Sequence, residues 1–349
     1  MIRRAGTDGS LAAAAIGAFG ASSWRIPLMV VAASALFVIG AAAPTRLAGE
    51  FVLRLGEEGL LLGILALSVA FLMNQAGLVA LGAASVYGGA GYLFAVAMSE
   101  WDMTAVEALA VSLLIIVVYA AFLGALIVRT HPLAFMMLTL AAGEMVSHSV
   151  TLEGLRDYTG GADGLVVSFK GSILGMQAAD FANATRFWIV AWSAAWLAGL
   201  IIWAARRSRL GAILRAVREN EERMRFSGFN TYAPRLIAFV LVNAIAGACG
   251  LLHVLNAGFV SPDSLGLSVS TNTLVAALIG GVDGSVGPIL GGLVFSFAQD
   301  QFGAHGATQL FTGIAIVVFI VLLPSGIVGG LLEALQPRAR ALARRRKGA

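Results

Sequence analysis

Charge and cysteine are scarce in this sequence. Only 12% of its 349 residues are charged, whereas 59% are hydrophobic. A soluble domain of this size would need more polar surface, so the composition favours several membrane spans. The single cysteine, Cys249, lies in an apolar stretch, which excludes a disulfide framework. We therefore predict a polytopic membrane protein, in which the net charge of +4 reflects orientation and does not indicate a nucleic-acid partner.

Sequence motifs of catalysis are also absent. The chain has no GxxxxGK(S/T) phosphate loop, no HExxH helix, no Cys/His cluster at metal-binding spacing and no nucleophile with an evident base. We therefore predict no catalytic residues, no metal site and no cofactor bound by this chain. Uphill transport would take its energy from an ion gradient or from a separate subunit.

The hydrophobic runs predict an all-α fold with about ten transmembrane helices within residues 26–324. Cytoplasmic tails are expected at 1–25 and 325–349, the second strongly basic. The expected spans are 26–43, 60–75, 77–98, 108–128, 132–150, 187–205, 234–256, 268–279, 288–298 and 308–323.

Two segments of this series depart from the usual pattern. Residues 77–98 are loaded with Gly, Ala and Ser, which predicts a packed or broken helix inside the bundle. Residues 45–58 carry five charges, which predicts an amphipathic segment on the outer surface.

The distribution of Lys and Arg sets the orientation. With ten spans and both termini inside, eighteen of these residues fall on the cytoplasmic side and five on the outer side. Residues 206–230 are then a cytoplasmic loop with seven arginines, and residues 151–185 are a periplasmic loop with some structure of its own.

The cytoplasmic loop contains an amphipathic helix. Leu210, Ile213, Leu214 and Val217 recur at helical spacing among charged residues. Such a helix could rest on anionic lipid headgroups or could contact a soluble partner, and charge alone does not separate these readings.

Few polar residues occur at membrane depth. Glu144 and His148 share a helix face at i and i+4 and could form a buried acid–imidazole pair, which would serve either as a proton site or as a structural hydrogen bond. An ion-coupled secondary transporter using this pair is the alternative function. Asn74 and Gln75 could line a pathway or cap a helix.

Four separated motifs resemble one transporter family. They are SRLGAILRAVRENEERMRFSGFN (208–230), TGGADGL (159–165), GFVSPDSLGL (258–267) and IGGVDGSVGPILGG (279–292). Together they resemble the LivM-type permease of branched-chain amino acid ABC importers, over roughly residues 60–324. In the GLVALGAASVYGGAGY segment, however, Ala83 stands where the family more often has His.

The resemblance implies a permease subunit in the bacterial inner membrane that carries a branched-chain amino acid or a related small polar solute. It implies a LivH-type permease partner, two ABC ATPase subunits that use ATP and Mg, and a periplasmic solute-binding protein. The ATPase-coupling residues would be Arg215, Arg218, Glu219, Asn220 and Glu221.

If a solute-binding protein is a partner, we expect the outer loops to form the surface on which it docks. The candidate docking residues are Gly160, Gly161, Asp163, Ser261 and Asp263. From the residues alone, the two glycines permit a tight turn that fixes the direction of Asp163, and this acid could equally be a local cap.

Overall fold

The computed structural model describes residues 37–42, 44, 45, 49–101, 103–167, 172, 173, 175–303, 313 and 326–330. The chain divides into two units, 1–48 and 49–349. In the first unit the described residues are helical. All elements named below belong to the second unit.

The described part of the second unit is almost entirely helical. Its helices are α1 (Glu50–Ala76), α2 (Ala83–Glu100), α3 (Ala105–Ile127), α4 (Pro132–Val150), α5 (Arg156–Thr159), α6 (Ala178–Phe181), α7 (Ala184–Arg207), α8 (Arg209–Glu219), α9 (Glu221–Phe226), α10 (Tyr232–Ala257), α11 (Leu267–Gly280) and α12 (Gly287–Gly303). Two-residue strands β1 (Leu165–Val166) and β2 (Phe259–Val260) pair antiparallel, and short 3-10 turns occur at Glu153–Leu155, Gly161–Asp163 and Pro262–Leu265.

Among the described residues, five helices are long and apolar enough to cross a membrane: α1, α3, α4, α7 and α10. Each of the eight spans expected between residues 60 and 298 corresponds to a described helix. The spans expected at 26–43 and 308–323, and both predicted tails, lie mainly or wholly outside the described residues. The all-α membrane fold is thus confirmed, while the count of ten and the sides of the termini remain predictions.

Helix α1 is the element against which much of the bundle packs. Its 27 residues give a length of about 40 Å. It contacts α7, α8, α10, α11 and α12. Large apolar side chains such as Leu60 and Phe71 are almost completely buried on it.

The contact of α1 with α12 is a close approach of two backbones. A Cβ atom added at Gly63 would lie 2.8 Å from the carbonyl oxygen of Ile289, and one at Gly59 would lie 2.9 Å from the Cα of Leu293. A Cβ at Gly292 would fall on the backbone of Gly63. Small residues at these positions let the helices touch directly, as is common between membrane helices.

The structure differs in part from the amphipathic surface segment expected at 45–58: within residues 50–58 the charged residues Glu50, Arg54 and Glu58 are exposed, but Glu57 is buried. Helix α1 begins at Glu50 and runs through this region without a break. Leu53 is 3% exposed and Glu57 is 1% exposed, because α7, α10 and α12 cover this part of the helix. The charges had suggested a surface segment, whereas tertiary packing places Glu57 inside the bundle next to Asn256, whose amide nitrogen is 3.4 Å from the Glu57 Oε2 atom.

The small-residue segment 77–98 is a broken helix packed inside the bundle, as predicted. Residues 77–82 are not helical, and α2 begins at Ala83 with most of its residues buried. Two of the backbone amides that have no partner within a helix donate to side-chain acceptors. The amide of Leu81 donates to Thr139 Oγ1 of α4 and that of Ala84 donates to Ser270 Oγ of α11, each at 3.2 Å. Side chains of neighbouring helices therefore accept hydrogen bonds from backbone amides at the break, as non-helical backbone at membrane depth requires.

The glycine contact between α1 and α12 gives a stability prediction. Replacing Gly292 by Val should prevent these helices from docking, because the added Cβ meets backbone atoms that cannot move independently. We expect little monodisperse protein after detergent extraction, measured by fluorescence-detected size-exclusion chromatography.

The matched control is Gly199→Val on α7. Among the described residues, a Cβ there would be near Ile289 Cδ1 alone, at 4.0 Å, so the same substitution in a helix should be tolerated. Equal yields of the two variants would contradict the assigned role of the Gly292 contact.

Candidate functional site

Three sets of polar residues in this bundle are candidates for function. We call the end of the bundle that carries residues 206–230 the charged end, and the end that carries β1 and β2 the strand end. One set lies at each end, and the third is the Glu144–His148 pair on α4.

At the charged end, side chains from four structural elements form one hydrogen-bonded group, here called the arginine cluster. Its members are Asn74, Gln75, Arg206, Arg215, Arg218 and Asp283. They come from the last turn of α1, the end of α7, the helix α8 and the turn between α11 and α12.

The hydrogen bonds of the arginine cluster converge on Asn74 and Gln75. Asn74 Nδ2 donates to Asp283 Oδ1 at 2.8 Å, and Asn74 Oδ1 accepts from Arg206 Nη2 at 3.1 Å. Gln75 Oε1 accepts from Arg215 Nη1 at 2.8 Å. These two amides therefore connect the end of α1 to the charged loop and to the α11–α12 turn.

The end of α1 is shaped to receive Arg218. Helix α1 stops at Gly77, which has a left-handed φ of 68° and donates its amide to Leu72 O. A Cβ at Gly77 would lie 3.1 Å from Arg218 Cγ, so a residue other than glycine would be strained and would also crowd the arginine. Arg218 donates to Asn74 O, one of the terminal carbonyls that the helix itself leaves unpaired, and a cation at this position also suits the helix dipole.

Helix α8 is amphipathic in the predicted sense, with Leu214 and Val217 buried beneath it. The charged loop nevertheless contains two helices, not one. Asn220 ends α8 and caps α9, since its Oδ1 accepts from the amide of Arg223 at 2.8 Å. Glu221 on α9 then pairs with Arg235 of α10 at 2.7 Å, and only 6% of the Arg235 side chain is exposed.

The structure therefore divides the five predicted coupling residues into two groups. Arg215, Arg218 and Glu221 bond to other parts of the same chain. Glu219 is exposed, and the side chain of Asn220 serves as a cap. The sequence analysis did not select Arg206, Arg235 or Asp283 as site residues. Each is a charged residue beside an apolar span, and that position was the feature of the sequence that could have identified it.

At the strand end, the two motifs predicted to dock a binding protein lie side by side. Leu165 pairs with Val260 and Val166 with Phe259. Gly164, with φ of 72°, is needed for this approach, because a Cβ there would meet the carbonyl oxygen of Val260. We call residues 159–165 and 259–265 together the strand-end patch.

The strand-end patch has a rigid base and an exposed surface. Gly88 of α2 leaves room for Ser264 and Leu265, so the 3-10 turn Pro262–Leu265 sits directly on α2. Val166, the residue of β1 next to the patch, is 82% exposed. The Asp163 side chain is 83% exposed and lies 3.5 Å from Arg156, so it points away from the bundle with only a loose local partner.

Among the other predicted residues of the strand-end patch, Gly160 and Gly161 have left-handed φ values of 70° and 59°. Ser261 accepts from the amide of Ser264 at 3.1 Å, and Asp263 is exposed. The tight turn expected at the two glycines is therefore present, while docking itself remains a prediction.

The Glu144–His148 pair differs from the buried arrangement that was expected. Glu144 Oε2 and His148 Nε2 are 3.9 Å apart, and 42% and 82% of these side chains are exposed within the chain. Helix α4 packs on the neighbouring elements mainly through residues such as Thr139 and Gly143, which leaves the other face uncovered. The two residues thus lie on an outward face of the chain and do not form a buried relay within it.

Comparison with known proteins identifies relatives of the chain. The profile of the family described as "Branched-chain amino acid transport system / permease component" matches residues 51–323. The permease LivH of the high-affinity branched-chain amino acid transport system of Salmonella typhimurium is 25% identical over 279 residues, 72% of this chain and 90% of the relative. LivM of the same organism is 24% identical over 291 residues, 76% of this chain and 67% of the relative.

A more distant match is the ribose import permease RbsC of Escherichia coli, 25% identical over 137 residues, 36% of this chain and 42% of the relative. No solved structure matches the chain.

The arginine cluster gives a prediction about α8. Replacing Arg215 by Met removes the bond to Gln75 and should loosen α8. The loss of about 1.5 kcal/mol for a charged hydrogen bond corresponds to roughly tenfold faster local opening. Limited trypsin digestion of the purified protein, followed at the Arg223–Met224 bond, measures this rate.

The control variant is Arg209→Met, which removes an exposed arginine from the first turn of the same helix. It should leave the cleavage rate close to that of the unmodified protein. If both variants are cut at the same rate, the Arg215–Gln75 contact does not hold α8 in place.

Proposed function

This chain belongs to the family of permease components of branched-chain amino acid transport systems, and we propose that it is one permease subunit of an ATP-driven importer. It is a multi-pass membrane protein of a transport family. The importer would carry a branched-chain amino acid or a related small polar solute across the bacterial inner membrane. This solute class is taken from the related permeases, which serve branched-chain amino acid transport systems.

The observation that carries the proposal is the arginine cluster. An importer driven by a separate ATPase needs a surface that contacts the ATPase and a rigid connection from that surface to the membrane helices. Helices α8 and α9 present exposed charges such as Glu219, Glu222 and Arg223. Arg215 and Arg218 tie α8 to the end of α1, the longest described helix of the bundle.

This arrangement assigns different roles to the residues of the charged loop. The exposed residues Glu219, Glu222 and Arg223, together with Phe226, which is 91% exposed, would meet the ATPase on the cytoplasmic side. Arg215, Arg218 and Glu221 would transmit its movement into the bundle. ATP and Mg would be bound by two ATPase subunits, and this chain would supply neither.

The strand-end patch would then face the periplasm and receive the solute-binding protein. Its two segments are joined by β1 and β2 and rest on α2, so contact there would reach the broken helix directly. A second, homologous permease would complete the pathway. LivH and LivM relatives match this chain at nearly equal identity, so its position as the LivM-type member of the pair is part of the proposal.

The Glu144–His148 geometry gives less support to an ion-coupled carrier. A proton relay needs groups shielded from solvent and within hydrogen-bonding reach, whereas these atoms are 3.9 Å apart on exposed side chains. Their exposure on α4 suits a face that meets the second permease or an aqueous pathway, because a carboxylate facing lipid is costly.

The first prediction from this proposal concerns the ATPase surface. Replacing Glu222 by Lys should weaken ATPase association roughly tenfold. If the ATPase surface opposite Glu222 is complementary to an acid, the lysine would repel it. The measurement is the amount of ATPase that co-purifies with the tagged permease, together with ATP-driven uptake in proteoliposomes.

The control is Glu153→Lys, the same change on an exposed residue at the strand end. It should leave ATPase co-purification unchanged. Normal co-purification and uptake in the Glu222 variant would refute the assigned surface. Uptake that persists without ATP and stops when the proton gradient is dissipated would favour the ion-coupled carrier instead.

The second prediction concerns the strand-end patch. Replacing Asp163 by Arg should lower the stimulation of ATP hydrolysis by the loaded solute-binding protein several-fold, an effect that high salt should reduce. Basal hydrolysis should not change, since among the described residues the Asp163 carboxylate has only the loose contact with Arg156.

Asp157→Arg, a few residues away on α5 and also exposed, serves as the control for general charge effects. An equal loss of stimulation in both variants, or an equal loss of basal and stimulated hydrolysis, would argue against docking at Asp163.

A further inference from the structure

A cavity of about 180 Å³ lies towards the strand end of the bundle, between α1, α11 and α12. Tyr87 of α2 and His253 of α10 also line it, and their rings are in contact with centroids 5.3 Å apart. None of the functional residues discussed above lines this cavity. An engineered cavity of about 150 Å³ accepts a molecule the size of benzene, so this volume suits a small solute.

Besides Tyr87 and His253, the described polar residues that line the cavity are one acid, Glu58, the amides Asn272 and Gln299, and Ser296, and neither Lys nor Arg is among them. Glu58 of α1 and Gln299 of α12 are exposed, and Asn272 of α11 is half-buried. Asp300 follows Gln299, and its charge repels that of Glu58. Two neighbouring carboxylates give this opening a negative potential, which favours a ligand with a cationic group.

The wall of the cavity deeper along α1 is aliphatic. Leu61, Leu62 and Leu65 face it from α1, and Val269 faces it from α11. The lining therefore changes from acidic at Glu58 to apolar about two helical turns further along α1. A solute with an ammonium group and an aliphatic side chain matches both parts.

The position of Glu58 indicates what the opening faces. It lies eight residues after the start of α1, about 12 Å along a helix that is about 10 Å longer than the hydrocarbon core. Because an exposed carboxylate next to Gln299 and Asp300 would be costly against lipid tails, this surface faces water or another subunit.

We propose that this cavity binds the transported solute as an aliphatic α-amino acid. The ammonium group meets Glu58, the carboxylate receives amide N–H donors from Asn272 and Gln299, and the side chain packs against Leu62, Leu65 and Val269. This inference rests on the proposed function for the direction of entry, from the outer side. The site lies between helices of a single permease subunit.

Cysteine labelling tests the cavity in the assembled transporter in proteoliposomes. The only native cysteine, Cys249, is buried, so background labelling should be low. Val269→Cys places a near-isosteric thiol on the cavity wall, and Ser268→Cys places one on the exposed side of the same helix as the matched control. Leu62→Cys repeats the test from α1 if the Val269 variant does not assemble.

A cationic methanethiosulfonate reagent should label Val269→Cys roughly tenfold faster than an anionic one, and Glu58→Gln should remove this preference. Leucine, used as the probe at ten times its dissociation constant, should slow labelling roughly tenfold, because only the unoccupied fraction reacts. 4-Methylpentanoate, which lacks the ammonium group, should protect poorly. Ser268→Cys should react without protection.

Several results would overturn the proposal. Labelling of Val269→Cys that leucine does not slow, while Ser268→Cys reacts normally, would exclude an amino-acid site. Equal protection by 4-methylpentanoate would exclude ammonium recognition, and a thiol unreactive towards both reagents in the bilayer would indicate a cavity filled by lipid.

The labelling requires no ATP, so its result can be distinguished from a test of the proposed function. Normal ATP-driven leucine uptake without protection would reject the cavity site alone. Protection by leucine without ATP-dependent uptake would reject the proposed importer role alone.

Discussion

The direct backbone contact between α1 and α12 is the constraint on which the rest of the bundle depends. Gly59 and Gly63 face α12 without side chains, and Gly292 faces α1 in the same way. Close approach brings Phe295 of α12 and Ile279 of α11 into one buried cluster with Ala66 and Ala70 of α1. In a membrane, close packing of this kind is a main source of the stability of helix–helix contacts. Lipid tails are as apolar as the side chains, so burying apolar surface contributes little free energy by itself.

This constraint makes α1 a rigid connection between the two ends of the molecule. Near the strand end it carries Glu57, which is buried beside Asn256, and Glu58, which is exposed at the cavity. At the charged end it stops at Asn74 and Gln75 in the arginine cluster. A movement of α8 would therefore act on a helix that also forms one wall of the proposed solute site, which gives coupling over about 25 Å of α1 a physical route.

The two ends are held together by different chemistry, in keeping with their proposed roles. The charged end relies on arginine side chains, whose several donors reach helix-end carbonyls and amides at once. The strand end relies on backbone pairing and on the glycines of α2, which let a surface turn sit on the bundle. Between them, the break at residues 77–82 is bonded to α4 and α11, so the pieces of the broken helix depend on their neighbours for their backbone partners.

The sequence by itself determined the helices and the family, because hydrophobic length, small-residue runs and four ordered motifs are local properties that survive in any packing. It also anticipated the buried face of α8 and the tight turn at Gly160 and Gly161. Only the tertiary structure decided that Glu57 lies inside the bundle, that Arg215 and Arg218 bond to α1, and that Glu58, Asn272 and Gln299 share one cavity. The reason is physical, because the sequence shows that a residue is polar but not which residue it contacts. The partner can lie more than two hundred residues away, as Asp283 does from Asn74, and the packing of the helices decides which residue it is.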